Sequence, residues 1–182
     1  GDFILNEKLV NALEHPDLAL LLTSAVLCND AYLLKQKEEG DEGSEYWQVL
    51  GDPTEGCLLV AGAKAGLTKE KLSPLYARIA EVPFDSTRKR MSTIHRHPQE
   101  GFVVFAKGAL EGILEHCTEQ FIDGRRELLN DLEKQEILEK SQKFAALGLR
   151  ILGFAYKNAE NLPNTIHEET IERGLVFLGF CG

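Results

Sequence analysis

Methionine is almost missing from this sequence: Met91 is the only one in 182 residues, and the chain opens on glycine. Cysteine is scarce. Cys28, Cys57, Cys117 and Cys181 lie far apart with no CxxC pair, which argues against a zinc ribbon or a disulfide-stapled framework and suits a reducing compartment. Basic charge is in short supply, with 20 basic against 29 acidic residues and a net charge of -9. That balance excludes wholesale nucleic-acid binding, which needs a basic face. It leaves room for a polyphosphate, because a local basic cluster can overrule the mean. Long apolar runs are missing too. The longest, Leu18 to Cys28, is broken by Thr23 and Ser24 and falls far short of the roughly 20 residues that span a bilayer. No signal peptide is evident, and the residues read as a soluble domain.

What is present is a core. Hydrophobic residues make up 43% of the chain, enough for one packed domain over residues 1–182. Leu9 to about Asn29 has helical content, with Pro16 opening a second helix. Ala31 to Leu34 and Tyr46 to Leu50 read as strands around a polar loop, Lys35 to Glu45. Asp52 to Gly66 reads as a helix: Asp52 caps it, Pro53 suits its first position, and Glu55 completes a capping box. Tyr76 to Pro83 reads as a strand. Met91 to His97 and Gly101 to Ala106 alternate and pair as a hairpin. Ala109 to His116 and Asn130 to Leu147 read as helices, with Gly148 ending the second. Leu149 to Lys157 is a further strand. The expected class is α+β, a mostly antiparallel sheet flanked by helices. The last stretch, Gly174 to Gly182, reads as a buried strand with nothing after it. With the missing initial methionine, this makes a piece of a longer protein the expectation.

Four segments can carry chemistry. In Pro83-Phe84-Asp85-Ser86-Thr87-Arg88-Lys89-Arg90-Met91-Ser92 an aromatic at a strand end precedes three consecutive basic residues. Phe84 can stack on a purine, and the cations can meet phosphate oxygens. It can equally be a core residue beside a solvated basic turn. In Phe105-Ala106-Lys107-Gly108-Ala109 an apolar strand delivers a lysine, and glycine admits a ligand close to the backbone. A strand-ending surface lysine fits the same pattern. In Gly51-Asp52-Pro53-Thr54-Glu55 the Glu55 carboxylate serves either the helix cap or an amino group of a ligand. In Gly148-Leu149-Arg150 the arginine reaches a phosphate, or stands on the surface.

Together and in this order, after Leu27-Cys28-Asn29-Asp30-Ala31, the segments resemble the nucleotide-binding domain of P-type cation-transporting ATPases, closest to the type II branch of calcium and sodium/potassium pumps. The resemblance covers nearly the whole chain. It implies an ATP site in which Phe84 stacks on adenine and Lys107, followed by Gly108, sits deep beside the base. Glu55 would meet the adenine amino group and Arg150 the phosphate or ribose. Ser86, Arg88 and Lys89 match polar positions at the pocket mouth. Leu110 stands where many relatives have proline, which alters a helix start more than a ligand contact.

The resemblance further implies ATP with Mg2+ in the parent pump, and the phosphorylation and actuator domains of the same chain as partners. It places the domain on the cytoplasmic side of a membrane that holds the parent. The Asp-Lys-Thr-Gly-Thr motif that takes the phosphoryl group is not in this sequence, nor is Gly-Asp-Gly-x-Asn-Asp. No catalytic residue is therefore expected. About 175–182 would begin the return strand to the phosphorylation domain. Calcium comes first as the transported ion. A free-standing regulatory nucleotide-binding protein and a non-nucleotide interaction module are the alternatives. Gly51 to Gly56 has the glycine spacing of a P-loop but Cys57-Leu58 where Lys-Ser/Thr is needed. Glu14-His15-Pro16 matches a His-Pro element of heavy-metal pumps by coincidence. His95 and His97 read as a solvated pair on one strand face, with no third ligand for a metal.

Overall fold

A computed structural model describes residues 2–37, 45–99 and 101–182. Among these, seven strands form one sheet. In chain order they are β5 (Arg78–Asp85), β6 (Arg90–Arg96), β7 (Phe102–Gly108), β8 (Cys117–Ile122), β9 (Arg125–Leu128), β10 (Leu152–Ala159) and β11 (Leu175–Cys181). Their order across the sheet is β5-β6-β7-β10-β11-β8-β9. Every neighbouring pair is antiparallel except β11 with β8. Two hairpins stand apart from it, β1 (Phe3–Leu5) with β2 (Lys8–Val10), and β3 (Tyr32–Lys37) with β4 (Glu45–Leu50). The α+β class and the mostly antiparallel sheet agree with the sequence.

Period-2 alternation divides the apolar side chains between the two faces. Met91, Val103, Phe105, Phe154, Tyr156, Val176 and Leu178 pack on one face against α1 (Pro16–Leu27) and α2 (Pro53–Lys64). Ala106, Ala155, Leu175 and Phe177 pack on the other face against α4 (Leu110–Glu115), with Ile137 and Leu138 of α5 (Asp131–Ala145) behind. Farther along that second face, Val82, Ile94 and Val104 meet Ile171 of the short α6 (Glu168–Ile171). The four-residue α3 (Lys69–Leu72) contributes Leu72 to the first layer. No helix among the described residues is long and apolar enough to cross a membrane.

Helix starts follow their caps. Pro16 and Pro53 occupy first-turn positions, where a missing N–H is harmless. Asn130 and Glu133 exchange side-chain bonds with each other's backbone N–H at the start of α5, a capping box. Gly148 follows that helix with φ +81.

Several expectations are corrected. The stretch before Pro16 is not helical: β2 ends at Val10 and a single 3-10 turn, Ala12–Glu14, precedes α1. Lys35 to Lys37 and Glu45 lie in the β3–β4 hairpin rather than a loop, while the rest of that loop is outside the described residues. The first strand of the large sheet is Arg78–Asp85, carrying Phe84 inside it. The strand expected from Leu149 begins at Leu152. Strands β8 and β9 were not foreseen. Leu175–Cys181 lies between β10 and β8.

Candidate functional site

The charged centre of the site begins with Lys107. It shares the first sheet face with Phe105, two residues back, and lies opposite Met91 on β6 and Phe154 on β10. It is 6% exposed, so the surface-lysine reading does not hold. A buried ammonium needs an anion, and Glu55 at the start of α2 supplies it through Oε1.

Glu55 is held in turn by the segment after α1. Its Oε2 accepts from the backbone N–H of Asp30 at 2.9 Å and of Ala31 at 3.0 Å. Asn29 clamps the same junction, donating to the carbonyls of Glu55 at 2.9 Å and Ala25 at 3.1 Å. Lys69 secures it from α3 by donating to the carbonyls of Asn29 at 2.6 Å and Ala31 at 2.7 Å. The expected capping box is therefore half right. Asp52 accepts from Thr54 N–H at 2.8 Å and Glu55 N–H at 3.3 Å, but the Glu55 carboxylate turns to Asp30, Ala31 and Lys107. Gly51 is required here. Its φ is +115, and a Cβ would stand 2.9 Å from Ala31 Cα.

Phe84 reaches this centre through an irregularity in β5. Val82 pairs with Ser92 and Asp85 with Arg90, so Pro83 and Phe84 together face Met91. This extra residue is a β-bulge, which re-aims a side chain. In an unbroken strand Phe84 would share the face of Val82. The bulge brings it to the cavity beside Met91 and Lys107 instead. Pro83 is tolerated because β5 is an edge strand. Phe84 is 59% exposed, which overturns the core-residue reading.

The turn after Asp85 is tightly wired. Asp85 Oδ1 accepts from Thr87 N–H and Arg88 N–H, each at 2.9 Å. The Arg88 N–H, with Thr87 and the Arg88 charge assisting, holds the Asp85 carboxyl below the usual carboxylate range. Lys89 adopts φ 51, and its carbonyl accepts from Ala109 N–H at 2.9 Å. Gly108 makes this approach possible: a Cβ there would lie 2.4 Å from the Lys89 carbonyl oxygen.

These parts enclose a cavity of about 420 Å³, within the range of small-ligand sites. Glu55, Phe84, Lys89, Lys107, Gly108 and Arg150 all line it. Asp30, Asp52 and Thr54 also line it and were missed as lining residues. The Gly-Asp-Pro-Thr-Glu segment was the available signal for two of them. Arg150 donates to Thr54 Oγ1 at 3.3 Å across the opening. Ser86 and Arg88, expected at the mouth, do not line the cavity. Arg88 is bound to Glu172 instead, at 2.9 and 2.7 Å, a partner 84 residues away that spacing could not reveal.

The histidine pair is also corrected. His95 is 1% exposed. Its Nδ1 is 3.0 Å from the Tyr76 carbonyl and its Nε2 2.9 Å from Thr93 Oγ1, so Nδ1 carries the proton and Nε2 accepts. Burial pushes its pKa down from 6.5 to about 4. The unfolded chain thus takes up a proton near 6.5 and the folded chain only near 4. Stability from this residue is complete above the higher value and is lost as pH falls through that window, by at most about 1.4 kcal/mol per pH unit. Urea unfolding of wild type and His95→Gln across the window should show the steeper acid loss in wild type. Parallel slopes would remove His95 from the account. Among the described residues no group of three or more His, Cys, Asp and Glu side chains is placed to hold a metal.

Comparison with known proteins completes the picture. A family model described as P-type ATPase, cytoplasmic domain N, matches residues 17–182. Calcium-transporting ATPase 1 of Bacillus cereus is 36% identical over 163 residues, covering 90% of this chain and 17% of the relative. Cation-transporting ATPase pma1 of Synechocystis is 35% identical over 187 residues, covering 100% of this chain and 19% of the relative. The sodium/potassium exporting P-type ATPase cta3 of Schizosaccharomyces pombe is 35% identical over 158 residues, covering 84% and 14%. The chain thus spans less than a fifth of the length of each of these three relatives.

Proposed function

The chain belongs to the P-type ATPases, as their cytoplasmic domain N, and from that premise we propose that it is the ATP-holding domain of a cation-transporting pump. The observation that carries this reading is the exposed Phe84 ring on a cavity that also holds the buried Lys107–Glu55 ion pair. An exposed aromatic ring on the wall of a lined cavity can gain by stacking a flat apolar group on its face. Adenine is such a group. Its amino group would donate to Glu55 Oε1, which keeps a lone pair beyond the one used by Lys107. Lys107 would stand beside the base, and Gly108 would let the nucleotide approach the backbone. Lys89 and Arg150 would meet the ribose or phosphates. Mg2+ would travel with the phosphate oxygens rather than with carboxylates of this domain.

The chemistry assigned to the domain is positioning. It holds the nucleotide by its base and brings the γ-phosphate to an aspartate in a separate phosphorylation domain, so its contribution is proximity and alignment. Closure between domains, with the actuator domain as a further partner, would gate the transfer. The names of relatives favour a cation as cargo, with calcium first. The stretch that includes Leu175–Cys181 would lead the chain back toward the phosphorylation domain.

Titrating ATP into this chain tests the reading. Amide resonances of Glu55, Phe84 and Lys107 should move together with one binding curve, while those of β9 stay still. Silence at all three positions at millimolar ATP would defeat it.

A further inference from the structure

Glu172 is the one fully buried carboxylate among the described residues, at 0% exposure, and the site above makes no use of it. It follows α6, on the sheet face opposite the cavity. Both oxygens are saturated. Oε1 accepts from Ser92 Oγ at 2.9 Å and Arg88 Nη1 at 2.9 Å; Oε2 accepts from Arg88 Nη1 at 2.7 Å and Arg90 Nε at 2.6 Å. Further donors of the two arginines go to the turn and to the residue that follows α4. Arg88 Nη2 reaches the Pro83 carbonyl at 2.7 Å, and Arg90 Nη2 stands 3.0 Å from His116 Nε2. One buried anion therefore grips both ends of the segment Pro83 to Arg90.

That segment is the one that presents Phe84 and Lys89 to the cavity. Its geometry is unusual at each step: the bulge at Pro83–Phe84, the Asp85 turn, and Lys89 at positive φ. A strained turn at a sheet edge keeps a single shape only when its surroundings over-determine it. On the cavity side the turn has little cover, since Phe84 is 59% exposed. Besides the Asp85 bonds and the Ala109 N–H on the Lys89 carbonyl, its restraint comes from behind, through Glu172. Burying a carboxylate is expensive and is compensated here by two cations and a hydroxyl. Ordinary packing would serve stability as well.

We propose that Glu172 is a positioning residue for nucleotide binding, holding the turn through Arg88 and Arg90 so that Phe84 and Lys89 face the cavity. The inference rests on the ATP reading above. It also explains why Arg88 is absent from the cavity wall: it acts from behind the turn.

The test is ATP affinity by equilibrium titration. Glu172→Gln keeps the shape and removes the charge, and is expected to weaken ATP about tenfold, because small misplacements of contact groups are costly. In a Phe84→Ala, Lys89→Ala background the same substitution should change affinity by less than about twofold, the positioned groups being gone. A tenfold loss in both backgrounds would mean that Glu172 acts through general stability, and an unchanged affinity in the single variant would also overturn the proposal. Should Glu172→Gln fail to fold, Arg88→Met leaves the Glu172–Arg90 pair charge-balanced and carries the same expectation. Wild type that binds no ATP counts against the nucleotide reading itself, a result distinct from wild type that binds and a variant that binds equally well.

Discussion

Phe84→Ala is expected to weaken ATP by about 1–3 kcal/mol, the worth of one base–aromatic stack, or roughly 5- to 150-fold in affinity. The same change should alter unfolding free energy by only about 0.5 kcal/mol, as substitutions at exposed sites do. The contrast follows from where the ring lies. A buried phenylalanine of this fold, such as Phe105 or Phe154 at 0% exposure, would cost about 3–5 kcal/mol on truncation. Phe84 is 59% exposed and belongs to none of the three core clusters. Its area is therefore free to be covered by a ligand. Titration calorimetry and urea denaturation on one preparation decide the matter. Equal losses in the two measurements would return Phe84 to the packing residues and leave the cavity without a base-stacking wall.

The parts of this site that the sequence reveals are those whose cause is local. Asp52 and Pro53 announce a helix start, because a cap and a proline act within one turn. The strand through Phe105 announces itself by the unbroken apolar run Phe102 to Ala106, and Lys107 stands out against it. What stays hidden is whatever depends on a distant partner. Nothing near Glu172 in sequence says that it will be buried under two arginines more than 80 residues away. The burial of His95 depends on the carbonyl of Tyr76 and the hydroxyl of Thr93, so from the strand's own residues His95 reads as solvated. The bulge is a third case. Pro83 suggested a strand end, since it removes a ladder donor. At a sheet edge the strand continues past it, and the added residue decides which face Phe84 takes. Strand β9 gives no alternation to read, because Arg125–Leu128 is exposed throughout, and β8 beside it is buried only at Cys117 and Gln120.

Substitutions at Lys107 and Glu55 separate stability from binding. Lys107→Met keeps the aliphatic length but leaves the Glu55 carboxylate without its cation, with a side chain only 15% exposed. Breaking a buried pair from one side costs about 3–5 kcal/mol. Adding Glu55→Gln removes the stranded charge. The amide oxygen can still accept from Asp30 and Ala31 N–H, and the amide nitrogen faces the open cavity. Most of the lost stability should return, giving a coupling energy of about 2 kcal/mol or more, within the range of contacting residues. ATP affinity should not return, because the cation that would sit beside the base is still missing. Urea unfolding of the two single variants and the double variant gives the coupling, and ATP titration of the double variant gives the rest. Additive stability losses would show that the two side chains do not depend on each other. Restored binding in a stable double variant would place Lys107 in the fold alone, and take it out of the ligand's surroundings.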